Sequence, residues 1–209
     1  DLARSRGLGD VYKRQEAIIS SDIGNNCAIG NAYPTFEETR KYLAPGLFGP
    51  CGYGLPSVVG AKIGRPDVPV VGFSGDGAFG IAVNELTAIG REEWPAVTQI
   101  VFRNYQWGAE KRNSTLWYDD NFVGTELDTQ VSYAGIAKAC GLQGVVAKTM
   151  DELTEALHTA IKDQMENGKT TLIEAMINQE LGEPFRRDAM KKPVAVAGVS
   201  ASDMREQAV

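Results

Sequence analysis

"VPVVGFSGDGAFGIAVNEL", residues 68–86, decides the fold. An apolar, β-branched run closes at Ser74, Gly75-Asp76-Gly77 follows, and apolar residues then recur at helical spacing, which reads as strand, tight turn and helix. Asp76 stands between two residues without side chains. It is either the turn former of that connection or an acid aimed at something charged. In open α/β sheets ligands bind beyond the carboxyl ends of strands, where a helix N-terminus offers free N–H groups and partial positive charge to a phosphate. Asp76 repels a bare phosphate, and a hard cation between them removes the conflict.

The next segments outward supply the rest of a βαβ unit. "AFGIAVNELTAIGRE", residues 78–92, predicts one helix with Ile81, Leu86 and Ile89 inward, and "TQIVFRN", residues 98–104, predicts the following strand. Mg²⁺ prefers near-octahedral oxygen ligation by one or two protein acids, phosphate and water. A neutral oxygen donor at the neighbouring strand end completes such a set, and Asn104 stands there, about 26 residues beyond Gly77, with Gln106 two positions on.

Upstream, "EAIISSDIG" (16–24) predicts a buried strand over Ala17–Ser20. "FGPCGYGLPSVVGAKIG" (48–64) reads as a glycine-rich loop and then a helix, with Pro56 tolerated in its first turn. Downstream, "VSYAGIAKACG" (131–141) is a short helix ending at Gly141, and a strand follows around Val145. A capping box from Thr149 to Glu152 opens a helix whose stripe is Leu153, Ala156, Leu157, Ala160 and Ile161, with Gly168 as its stop. "TTLIEAMI" (170–177) closes the series as a strand. The alternation predicts an α/β fold, a doubly wound parallel sheet with helices on both faces. Residues 16–178 form this domain. Residues 1–15, polar and basic, read as a non-native leader, and 179–209 as a C-terminal tail that wraps a surface, a partner or the site mouth.

Composition narrows the function. The 209 residues are 43% hydrophobic and carry a formal charge of −6, 21 Lys and Arg against 27 Asp and Glu, which argues against nucleic acid as partner. No apolar run approaches the roughly 20 residues of a bilayer span, and no signal peptide is legible, so a soluble, cytoplasmic chain without membrane partner is expected. Cys27, Cys51 and Cys140 show neither disulfide nor zinc spacing and read as buried thiols. With His158 as the single histidine, solvent-facing or half-buried in an amphipathic helix, triad hydrolysis is excluded. "GDGAFG" also fits the dinucleotide pattern Gly-x-Gly-x-x-Gly at Gly75, Gly77 and Gly80. The strand that follows, however, ends at Arg103-Asn104 and not at an acid.

Gly75-Asp76-Gly77, the spacing and Asn104 resemble the thiamine diphosphate motif of the acetohydroxyacid synthase and pyruvate oxidase group. The resemblance implies that Asp76, the Asn104 side chain and the Gln106 backbone carbonyl bind Mg²⁺, and that Gly77 and Ala78 donate N–H groups to the diphosphate. Where that group has two consecutive asparagines, this chain has Arg103 first. "LFGPCGYGLP" (47–56) is similar to the stretch that grips the aminopyrimidine, implying a carbonyl acceptor at Gly49 and an apolar wedge at Cys51, the place of a bulkier residue. The alternative for Cys51 is an ordinary buried thiol beside a glycine-rich turn. "SDIGNN" (21–26) is similar to the segment at the diphosphate, so Asn25 and Asn26 read as amide donors or as turn formers.

Within that group, "SDIGNNCAIGNAYPTFE", "RNYQWGAEKRN", "LWYDDNFVGTELD" and "NQELGEPFRRDAMKKPVAVAGVSASD" resemble the sulfoacetaldehyde acetyltransferase branch. This implies conversion of sulfoacetaldehyde and phosphate to acetyl phosphate and sulfite. It also implies a catalytic glutamate outside this chain, on the pyrimidine-binding domain of a neighbouring subunit in a homodimer or homotetramer, so that this portion is inactive alone. For the anionic substrates Arg103, Lys111, Arg112, Arg186 and Arg187 are candidate partners, or simply a solvated basic face. Another enzyme of the same cofactor class, a 2-oxo acid decarboxylase or acetohydroxyacid synthase, and a non-catalytic cofactor-binding subunit are the alternatives.

Overall fold

Six short strands lie in one sheet, and the four central ones bury both faces, so in them neither face needs polar alternation. The computed structural model describes residues 16–36 and 38–180. The strands are β1 (Ile18–Ser21), β2 (Tyr42–Leu43), β3 (Val70–Gly75), β4 (Thr98–Arg103), β5 (Gln143–Ala147) and β6 (Thr171–Met176). All pairs are parallel, in the order β2-β1-β3-β4-β6-β5. The chain leaves β1 toward the β2 edge and then crosses back to β3 on the other side of β1. The carboxyl ends of β1 and β3 therefore flank the point where winding reverses, and Ser21 pairs with Phe73 there.

The helices are α1 (Asn25–Ala32), α2 (Gly54–Gly64), α3 (Asp76–Ile81), α4 (Leu86–Ile89), α5 (Gly108–Trp117), α6 (Tyr133–Ala139) and α7 (Met150–Glu166). Neighbouring residues of each strand feed opposite cores. Ile18, Val70, Val101 and Leu172 pack with Leu55 and Val58 of α2, Phe79, Leu86 and Ala137. Ile19, Val71, Ile100 and Ile173 pack with Leu157 and Ala160 of α7. Helices thus cover both faces, as the alternation requires.

Most expected elements are present at nearly the expected places. The capping box at α7 forms with a shift: Thr149 Oγ1 accepts the Glu152 N–H at 3.2 Å, while Glu152 Oε2 accepts the N–H of Lys148 instead of that of Thr149. Of the two placements open for His158, solvent-facing and half-buried, the exposed one is found.

Two expectations are corrected. The single helix over 78–92 is broken at Ala82 into α3, a 3₁₀ turn at Val83–Glu85, and α4. The break resets the helical phase, so Leu86 and Ile89 point inward while Ile81 is 59% exposed. Of the three thiols only Cys27 is buried; Cys140 is half-buried, and Cys51 is exposed because it sits on a turn held by left-handed Gly49 and Gly52. Residues 1–15 and 181–209, with Arg186 and Arg187, lie outside the described residues. Among the described residues no helix is long and apolar enough to cross a membrane.

Candidate functional site

The tips of β1, β3 and β4 meet at the switch point, and the residues expected to bind the cofactor, except Gly49 and Cys51, lie on these tips or in the turns and helix starts directly after them. Asp76 opens α3 directly after β3 and is only 1% exposed. Its two oxygens are used unequally. Oδ2 accepts the backbone N–H of Tyr105 (2.7 Å), that of Asn104 (3.1 Å) and Nη1 of Arg103 (3.1 Å), whereas Oδ1 accepts only the Gly77 N–H (3.0 Å). Oδ1 is therefore the oxygen with spare lone pairs. Burial pushes the Asp76 carboxyl above the ordinary aspartate range, against the pull of the Tyr105 N–H, the Arg103 charge and the Asn104 and Gly77 N–H groups.

The Asn104 and Tyr105 N–H groups, successive along the chain, both reach the one carboxylate oxygen, and Tyr105 itself has a strained left-handed φ of 61°, an outlier for a bulky residue. Part of that strain, of order 1–3 kcal/mol, is offset where its ring lies 4.2 Å from the Arg103 guanidinium carbon.

After β4 the chain passes an isolated antiparallel bridge between Gln106 and Glu126. The bonds flanking it run from Trp107 N–H to Thr125 O (2.7 Å) and from Leu127 N–H to Tyr105 O (2.8 Å), which turns Gln106's own N–H and C=O away from residue 126. The Gln106 side chain is 2% exposed, donates Nε2 to Gln179 O, and leaves Oε1 buried without a partner. At Gly108, the first residue of α5, a Cβ would lie 3.2 Å from Asn25 Nδ2, 3.7 Å from Asn104 Nδ2 and 3.9 Å from Gln106 Nε2. Three amides thus converge on a helix start that has no side-chain cap.

Asn26 is placed differently from Asn25. Its Nδ2 is turned inward to Asp22 O (2.9 Å) and Ser21 Oγ (3.3 Å), so its amide ties the β1 tip together. Gly77 packs flat against the Trp107 ring, where a Cβ would come within 2.6 Å. Gly75 and Ala78 line the same turn, Ala78 buried. Gly49 and Cys51 sit on the neighbouring turn, which is fastened to β1 through Asp22: its carboxylate accepts the N–H groups of Gly52 (3.1 Å) and Gly54 (2.8 Å).

The expectation that Arg103 meets substrate anions is overturned. Arg103 is 1% exposed; besides Asp76 it serves the carbonyls of Asp128 and Val131 through Nη2, and its Nε lies 3.6 Å from Glu174 Oε1. It is filled with internal partners. Lys111 pairs with Glu126 and lies 5.3 Å from the Phe122 ring centre, and Arg112 follows it on α5. Sequence reading missed Glu174, Asp22 and Trp107. The signal for Glu174 was present: a lone acid in the apolar run TTLIEAMI, where both strand faces are buried.

These residues fit a metal–diphosphate group. Among the described residues no three His, Cys, Asp or Glu side chains cluster to hold a metal. Asp76 keeps Oδ1 open after β3, and Asn104 and Gln106 follow β4 beside it, oxygen donors of the kind a hard ion takes.

Comparison with known proteins agrees. The chain is 87% identical over 195 residues to a sulfoacetaldehyde acetyltransferase of Roseovarius nubinhibens, covering 93% of this chain and 32% of that protein. It is 80% identical over 192 residues to the enzyme of that name from Rhodobacter capsulatus, covering 92% and 32%. An acetolactate synthase large subunit of Corynebacterium glutamicum is 29% identical, over 91% of this chain and 29% of that one. The chain thus spans about a third of the length of these curated relatives. A thiamine diphosphate-dependent 4-hydroxybenzoylformate decarboxylase of Rhodococcus jostii shares the fold at a TM-score of 0.70 and 24% identity, over 87% of this chain and 32% of that one. Residues 22–175 match the family model "Thiamine pyrophosphate enzyme, C-terminal TPP binding domain", and with the β1, β3 and β4 tips built as described, the chain belongs to that family.

Proposed function

We propose that this chain is the diphosphate-binding part of a thiamine diphosphate-dependent acyltransferase that converts sulfoacetaldehyde and phosphate to acetyl phosphate and sulfite. The observation that carries the reading is the 87% identity to a protein of that name across 93% of the chain. Identity at that level extends well past the cofactor motifs. Bound here, thiamine diphosphate supplies the electron sink for breaking a bond beside a carbonyl carbon.

The protein's own residues bind and orient. Asp76 through Oδ1, the Asn104 side chain and the Gln106 carbonyl hold Mg²⁺. Gly75 gives the turn its room, and the N–H groups of Gly77 and Ala78 face the diphosphate, that of Gly77 shared with Asp76. Asn25 adds an amide donor, and Asn26 holds the β1 tip in place. The Gly49 carbonyl would accept from the aminopyrimidine, and Cys51 would press on the cofactor from the turn that Asp22 fixes. A glutamate from the pyrimidine-binding domain of a neighbouring subunit would complete the site. The reading carries with it a cytoplasmic homodimer or homotetramer.

The test titrates the chain with thiamine diphosphate and Mg²⁺, with and without the pyrimidine-binding domain, and assays sulfite release from sulfoacetaldehyde. Turnover only on reunion, lost in Asp76→Asn, is expected. Carbon dioxide from pyruvate instead of sulfite assigns an acetohydroxyacid synthase or 2-oxo acid decarboxylase, and binding without turnover in any combination assigns a non-catalytic subunit.

A further inference from the structure

An acid that is to hold a dication is here already paired with a buried arginine, and that arginine faces a second buried acid. Arg103, Asp76 and Glu174 are 1%, 2% and 3% exposed at their side chains. The guanidinium is held between the rings of Tyr105 and Tyr133, at 4.2 and 5.0 Å, and Nη2 is tied to two carbonyls of the 128–131 segment. It has no freedom to swing away from Asp76. On the far side Glu174 is fixed in turn, its Oε2 accepting Ser132 Oγ (2.8 Å) and the Ala134 N–H (3.1 Å). Its Oε1 lies 3.6 Å from Arg103 Nε, and that Nε makes no hydrogen bond. The contact is one of charge, without the geometry of a bond.

We propose that Arg103 and Glu174 together are a positioning element for Asp76. Arg103 and the two backbone N–H groups occupy Oδ2 and so leave Oδ1 as the oxygen offered to the cation. Glu174 offsets the arginine, so the three groups keep a net negative charge. With Asp76 and Arg103 alone the set would be neutral, and a dication arriving at Oδ1 would meet an uncompensated guanidinium one hydrogen bond behind it. The same arginine ties the 128–131 segment to the metal-bearing turn. The buried arginine thus has an acid on each side, Asp76 after β3 and Glu174 in β6, where Glu174 pairs with Val101, two residues before Arg103.

The inference rests on the metal–diphosphate reading, and its test separates the two. Mn²⁺ is titrated into the 209-residue chain with thiamine diphosphate and followed by electron paramagnetic resonance, with far-UV circular dichroism as the check on folding. Glu174→Gln is expected to weaken Mn²⁺ binding about tenfold, the order for removing a unit charge near a dication at high effective dielectric, and Glu174→Asp to stay within about threefold of wild type. The pair Arg103→Met with Glu174→Gln restores the original net charge and leaves the Asp76 carboxylate its three backbone N–H partners, so it reads positioning at constant charge even where Glu174→Gln fails to fold. It is expected to bind more tightly than Glu174→Gln, more weakly than wild type, and to be cleaved faster by protease within 128–131.

Wild-type binding by Glu174→Gln overturns the charge role. Wild-type affinity in the neutral pair, or affinity no better than that of Glu174→Gln, overturns the proposal as a whole. If the unsubstituted chain binds no Mn²⁺ with thiamine diphosphate, it is the metal–diphosphate reading that fails.

Discussion

Gly77→Ala probes the closest approach in the site. The added Cβ would lie 2.6 Å from Trp107 Cε3 and 2.8 Å from Cδ2 and Cζ3. Carbon pairs prefer separations of about 3.5–4.0 Å, so ring and turn must part by about 1 Å. The backbone cannot simply follow, because the Trp107 N–H is bonded to Thr125 O at 2.7 Å and the Gly77 N–H to Asp76 at 3.0 Å. Gly77 does not have a positive φ, so backbone strain adds nothing and the clash is the whole effect. Overpacking of this kind costs about 1–3 kcal/mol. Urea unfolding of Gly77→Ala, Trp107→Ala and the double variant reads it directly. The substitution is expected to destabilise the parent by that amount and the Trp107→Ala background by less than about 0.5 kcal/mol, a coupling well within the range for residues in contact. If the two substitutions prove additive, the ring does not limit the turn and the reasoning is wrong.

Gln164 on α7 holds the start of β3, accepting the Val70 N–H and donating to Val70 O at 2.8 Å each. Gln164→Leu leaves both backbone groups buried without partners and is expected to cost about 2–4 kcal/mol, read from the chemical-denaturation midpoint. Thr149→Ala removes the α7 cap and is expected to cost about 1 kcal/mol, with the loss confined by hydrogen exchange to the first turn. Lys62 is 4% exposed and donates to Val68 O at 2.8 Å; burial holds its pKa below the usual lysine value, partly opposed by Asp67. Between the depressed folded value and the ordinary one of about 10.4 the unfolded chain binds more protons, so stability from this group is full above the ordinary value and is lost as pH falls through the folded one. Denaturation at pH 7 to 10 should therefore show wild type gaining on Lys62→Met as pH rises, and a constant difference contradicts the assignment.

Fold class and the centre of the site were legible because both are local. Continuous apolar runs marked β1, β3, β4 and β6, an apolar stripe marked α7, and Gly-Asp-Gly marked a strand end where backbone must come close to a partner. Helix α5, "GAEKRNSTLW", buries no residue fully and has no apolar stripe, so its pattern carried no signal. The same holds for the two-residue strand β2, too short for a period to register. The continuous helix expected over 78–92 failed because its apolar spacing tolerates a break that only packing imposes.

By itself the sequence determined that strands alternate with helices, that an acid and an asparagine end successive strands, and that the family's motifs are present. Only the tertiary structure decided that β6 inserts between β4 and β5, which sets Glu174 beside Arg103. It also decided which oxygen of Asp76 remains open, by bringing Arg103 and the Asn104 and Tyr105 N–H groups onto the other. The physical reason is range. A hydrophobic period reports what one face of one element buries, whereas strand order and the partners of a buried charge are set by contacts between residues far apart in sequence, summed over the whole sheet.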